Sequence, residues 1–110
     1  MSKSKSMKRE APDPVDPVVI GAIRYDAPHY ATEVGGQQNG GWVTATDIAS
    51  GERLWTVRVY ETAYDPKRER DVQETFITGL ADAGGGRLEI EDEDGRRFVL
   101  ETATRQVRPA

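Results

Sequence analysis

The residues that could carry chemistry in this 110-residue chain gather in one stretch, "YDAPHYATEVGGQQNGGW", from Tyr25 to Trp42. His29 is the only histidine, with Asp26 three residues before it, Tyr30 beside it and Glu33 four residues after it. A carboxylate at that spacing can orient an imidazole as a general base. The same stretch supplies a second, non-catalytic chemistry. Tyr25, His29, Tyr30 and Trp42 offer flat surface for stacking, and Asp26, Gln37, Gln38 and Asn39 offer donors and acceptors to a polar ligand. The second reading is the one the sequence favours: a non-enzymatic binding or protein-interaction module that presents residues 26–42 to a protein or a small polar ligand. Long loops without periodicity are commonly functional. The alternative is a small enzyme using Asp26, His29 and Glu33 as its acid–base group.

No other motif rises to a site. With one histidine and no cysteine, neither a thiolate nor a multi-histidine metal centre is available. "EDEDG" resembles a calcium loop, but counting back from Gly95 puts Ile90 where the first acidic ligand belongs. "GGQQNGG" and "AGGG" lack the Lys-Ser/Thr ending and the following helix of a phosphate loop. No cofactor and no metal are therefore expected. "DPKRER", with Lys67, Arg68 and Arg70 interleaved with Glu69 and Asp71, reads as a solvated loop.

Charge narrows the partners. The net charge is −4, yet the first ten residues hold four cations and one anion, which leaves −7 on the rest. A domain that acidic has no cationic surface to neutralise phosphate, so nucleic acid and anionic membranes are not its expected partners. Behind the N-terminal cations comes "APDPVDP" in place of an apolar signal segment, and no run is long enough to span a bilayer. A soluble, cytoplasmic chain is the expectation. Residues 1–17 read as a basic, proline-rich, disordered leader, and residues 18–108 as the domain.

The elements that must position the candidate residues are strands. "VVIGAIRY" reads as a strand with a bulge at Gly21; "WVTATD", a turn at "IASG" and "ERLWTVRVYE" read as a hairpin. Trp55 and Trp42 are expected in the core. "DVQETFITGLA" carries both periods, and its β-branched run from Thr75 to Thr78 decides for strand. "RLEIEDEDGRRFVLET" is a hairpin turning at Asp94-Gly95. The prediction is an all-β fold, a single small antiparallel sheet, half-open barrel or sandwich of six to seven strands, without a long helix.

Two segments share an order of parts. "GWVTATDIASGERLW" and "GRRFVLETATRQV" each run from a glycine through an alternating strand to an acidic residue, Asp47 or Glu101, then Ala-Ser or Ala-Thr, then an apolar residue, Leu54 or Val107, in the next strand. Over Gly40–Val59 and Leu88–Val107 this resembles the blade repeat of quinoprotein-type (PQQ-like) β-propellers, in which an acidic strand end makes a Thr/Ser-Gly turn before Leu-Trp. The resemblance implies a local strand–turn–strand shape. A closed propeller needs about four blades of about 40 residues, more than this chain holds, and Arg105 stands where the turn glycine belongs. No quinone-binding residues are carried over. Blade-like hairpins leave sheet edges free, and a free edge is expected to pair with a second copy as a homo-oligomer.

Overall fold

The computed structural model describes residues 11–69 and 73–110. The fold is all-β and holds two four-stranded antiparallel sheets, where the sequence predicts a single small antiparallel sheet, half-open barrel or sandwich of six to seven strands. The first is the meander β1 (Val18–Ile20), β2 (Ile23–Asp26), β3 (Trp42–Asp47) and β4 (Arg53–Arg58); the second is β5 (Ile77–Gly84), β6 (Arg87–Asp92), β7 (Arg97–Glu101) and β8 (Gln106–Pro109). The eighth strand comes from "VVIGAIRY". Gly21 is the corner of a two-residue turn that brings Ile20 opposite Ile23, and a bulge in one strand is replaced by a hairpin. In "DVQETFITGLA", strand begins at Ile77, and Asp71 and Val72 lie outside the described residues. Helix is confined among the described residues to short 3-10 turns, and none is long and apolar enough to cross a membrane.

Strand period decides which face meets which. In the first sheet Tyr25, Ala45 and Trp55 form one cross-strand row, and in the second Leu88, Leu100 and Val107 form another. These rows face each other, for Tyr25, Val43 and Ala45 share one buried cluster with Ile77, Leu88, Ile90 and Leu100. The single core between the sheets is what makes two small meanders one domain. Trp55 is half-buried against this core, its ring tilted on Tyr25 at 5.9 Å between centroids. Trp42 lies on the opposite face of the sheet, two residues along β3 from Thr44.

The outer faces differ. On the second sheet Arg87 and Arg108 both reach Glu101, at 2.9 and 2.8 Å, and Arg97 lies within 3.9 Å of Glu89 and Glu91, a charged and solvated surface. On the first sheet the outer face carries Arg24, Asp26, Thr44 and Thr46, and both threonines are buried. The cover is the connection from β2 to β3.

The two segments with a shared order of parts occupy the same place, the β3–β4 and β7–β8 connections. Each closes with a backbone bond from the fifth residue to the acidic one, Gly51 to Asp47 at 2.8 Å and Arg105 to Glu101 at 2.7 Å. Gly51 takes φ 74° and Arg105 φ 65°, so the arginine adopts the left-handed conformation that the turn requires. In the first turn the Asp47 carboxylate also accepts from the Ser50 amide and hydroxyl. In the second, Glu101 is drawn away to its two arginines.

Residues 1–10 of the expected leader lie outside the described residues. Its remainder lies against the domain: Val15 packs on the core and the Asp13 carbonyl meets His29.

Candidate functional site

Pairing of β2 with β3 sets Arg24 beside Thr46 and Asp26 beside Thr44, on the face away from Tyr25. The chain then leaves β2. Ala27 turns into the core, Pro28 and His29 cross the sheet, and residues Ala31–Glu33 form one 3-10 turn. The return is pinned at a neck: the Gly40 amide donates to the His29 carbonyl at 2.7 Å, and the Ala31 amide to Asn39 Oδ1 at 2.7 Å.

Between this loop, the outer face of β2 and β3, and the segment at Pro14 and Val15 lies a cleft of about 430 Å³. Its floor is Thr44 and Thr46, its charged groups are Arg24, Asp26, Glu33 and Arg53, and Pro28, His29 and Tyr30 form the loop wall. Asp26 accepts from Arg24 Nε at 2.9 Å, which neutralises that pair. Arg53 donates to the Glu33 carbonyl at 2.8 Å and meets no carboxylate among the described residues. Tyr30 is half exposed at the rim.

His29 is buried, edge-on to Phe76 at 5.0 Å. Its Nε2 lies 3.0 Å from the Asp13 carbonyl, which can only accept, so Nε2 carries the hydrogen. Nδ1 is shielded from solvent and has no hydrogen-bond partner among the described residues. An unmet buried acceptor costs about 1–3 kcal/mol. Among the described residues no hydrogen bond joins His29 to Asp26 or Glu33. The three residues of the acid–base reading share one cleft, but a backbone carbonyl, not a carboxylate, holds the imidazole.

The structure divides the residues proposed to bind a ligand. Asp26, His29 and Tyr30 line the cleft. Tyr25 does not: it is buried in the core, because β2 alternates and its odd positions face the second sheet. Gln38 and Asn39 are committed to internal bonds. Gln38 Nε2 donates to the carbonyls of Gly40 and Tyr60, both at 2.9 Å, and Gln38 Oε1 accepts from the Thr62 amide at 2.8 Å. Asn39 Nδ2 donates to Glu74 at 3.1 Å. Trp42 Nε1 donates to the Gln38 carbonyl at 2.8 Å, and its ring occupies the space a Cβ at Gly36 would need. Gln37 is exposed and is not part of the cleft. Sequence reasoning passed over Arg24, Thr44, Thr46 and Arg53, although the alternation of "IRYD" and "WVTATD" places the first three on one face.

The segments facing the neck are held as firmly. The Tyr60 hydroxyl donates to the Thr75 carbonyl at 2.6 Å, its ring stacks on Phe98, and Arg96 lies over it at 4.8 Å. Burial, and after it the Asp92 carboxylate, push the Tyr60 hydroxyl above the ordinary tyrosine range, while Arg96 pulls it back. The fully buried Asp92 accepts from Arg96 Nε at 2.6 Å and from the amides of Asp94 and Arg96, so "EDEDG" is a turn closed on its own first aspartate. Gln73 closes the "DPKRER" loop by donating to the carbonyls of Asp65, Arg68 and Glu69.

No protein-family model matches this chain, and no curated protein compared with it is similar to it.

Proposed function

We propose that this chain is a non-enzymatic binding module and that its ligand sits in the cleft between β2, β3 and the first half of the following loop. One observation carries the reading: a concavity of about 430 Å³ whose floor is polar and whose wall combines an exposed tyrosine, prolines and an arginine that meets no carboxylate among the described residues. Ligand sites are typically clefts of about 300–1,000 Å³ with an apolar wall and a few convergent polar groups. The acid–base alternative has less support, because the His29 nitrogen left to act as a base is shielded from solvent and Asp26 is held by Arg24. The loop's second half, from Gln38 to Gly41, serves the fold, so the ligand surface contracts to residues 26–33 and the strands beneath them.

A fragment screen followed by amide NMR tests this on the full chain. Small fragments are expected to move the resonances of Ala27–Glu33, Thr44, Thr46 and Arg53 as one group. Fragments that cluster on another surface, or a screen in which no fragment moves these amides, would overturn the assignment.

A further inference from the structure

The cleft's charges point to the class of ligand. Of the four charged side chains lining it, Arg24 and Asp26 are paired with each other, and Glu33 is exposed on the 3-10 turn. Arg53 is different. Every arginine of the charged second-sheet face reaches a carboxylate, whereas Arg53 reaches a backbone carbonyl, which fixes the guanidinium in place without neutralising it. One of its donors is used, and the others form a planar fork suited to two oxygens of one anionic group. Glu33, which also lines the cleft, favours a single negative charge, since its carboxylate would repel a dianion more strongly. Pro14, Val15, Pro28 and the exposed Tyr30 ring line the rest of the cleft and suit an aliphatic or aromatic body.

Resting on the binding-module reading, we infer that the cleft takes a small monocarboxylate with an apolar body, its carboxylate held by Arg53. The Thr44 and Thr46 hydroxyls on the floor are neutral donors that such a group can share, and they add no charge that would draw a phosphate instead.

The test uses one body with three heads, 3-phenylpropanoate, 3-phenylpropanamide and 2-phenylethyl phosphate, titrated into the full chain and followed by amide NMR. The carboxylate is expected to shift the amides of residues 27–33, Thr44, Thr46 and Arg53, and to bind about tenfold or more tightly than the amide, the scale of one charge-assisted hydrogen bond. Arg53→Met, at an exposed position, should remove that preference, bringing the carboxylate's affinity down to the amide's. Equal affinity of acid and amide at those residues, or tighter binding of the phosphate, would overturn the carboxylate assignment while leaving the cleft as the site. Retention of the preference in Arg53→Met would overturn the role of Arg53. If none of the three probes moves any of these amides, the inference fails; the binding-module reading falls only if the broader fragment screen is silent there too.

Discussion

Gln38 is a candidate ligand donor by its sequence and a fastener by its position, and the two roles predict opposite outcomes for Gln38→Ala. The side chain is 4% exposed and spans from the loop to the segment after β4. Truncation removes three hydrogen bonds, to the carbonyls of Gly40 and Tyr60 and from the Thr62 amide. The contacts at Tyr60 and Thr62 are only partly buried, so water can replace part of what is lost there; at about 1 kcal/mol for each neutral bond, the loss is about 3 kcal/mol. That is a large share of the stability of a small domain. At about 4–8 °C for each kcal/mol, the melting temperature followed by circular dichroism should fall by more than about 10 °C. Gln38→Glu sharpens the test. It keeps the acceptor for Thr62 but turns a carboxylate oxygen toward two carbonyls, which raises the introduced group's pKa in the folded state. A raised folded pKa gives stability that is complete below the unfolded value near about 4.3 and is lost as pH rises, so this variant should approach the wild type in acid and fall away from it toward neutrality. A Gln38→Ala protein that melts within about 3 °C of the wild type would refute the fastening role and return Gln38 to the ligand surface.

Three further perturbations test the frame around the site. Arg105→Gly should raise the melting temperature by a few degrees, because it relieves the left-handed strain of about 1 kcal/mol at φ 65° and gives back only part of it as unfolded-chain entropy; a lower melting temperature would show that the turn does not impose that conformation. Tyr60→Phe should cost about 1 kcal/mol at neutral pH through the lost bond to the Thr75 carbonyl, measured by urea unfolding. Because the folded hydroxyl titrates above its ordinary 10.0, the stability it contributes is complete below about pH 10 and is lost as pH rises beyond it, so the wild type should weaken there more steeply than the variant. Gly40→Ala and Gly35→Ala both place a side chain at positive φ, but a Cβ at Gly40 would come within 2.5 Å of the Thr75 carbonyl whereas one at Gly35 meets nothing within 4 Å; the urea midpoint should drop far more for the first, and equal losses would show that the loop neck is not closed against Thr75.

What was legible in the sequence was whatever depends on period and turn chemistry. The alternation in "RLEIEDEDGRRFVLET" gives β6, β7 and the buried faces of Leu88, Ile90 and Leu100, and the repeated order of parts marks the two turns at Asp47 and Glu101. What was not legible depends on partners distant in the chain. Nothing near Gln38 says that its amide meets Tyr60 and Thr62, so amide and aromatic side chains in a glycine-rich loop look equally suited to a ligand and to a neck. Tyr25 misleads in another way: it neighbours the candidate residues in sequence, but one step along a strand turns it to the opposite face. Arg53 was invisible as a site residue because it enters the cleft from β4, twenty positions from the Glu33 carbonyl that holds it. The split of "VVIGAIRY" turned on Gly21, where a bulge and a two-residue turn ask for the same residue type.

The second sheet shows what the β2–β3 connection needs to be. In the two meanders the second and third strands are joined in the same way, yet β6 and β7 are linked by residues 93–96 while β2 and β3 are linked by residues 27–41. Closing the hairpin explains only a few of those additional residues. Part of the remainder serves the fold, since Gln38, Asn39 and Gly40 tie the loop to the segments around Tyr60 and Glu74 and brace the two sheets against each other. Among the described residues, Tyr30–Glu33 make no such tie to those segments: their bonds run within the loop and to Arg53. They stand over the outer face of β2 and β3, bury Thr44 and Thr46 that would otherwise be solvated like Glu89 and Glu91 on the second sheet, and leave a space between loop and strand. Covering polar residues without filling the volume above them stabilises little, because it removes water from hydroxyls and adds few apolar contacts. Ordering that part of the loop costs conformational entropy, and on the proposed reading a ligand seated on the threonine floor against Arg53 and Tyr30 would add contacts that offset part of that cost.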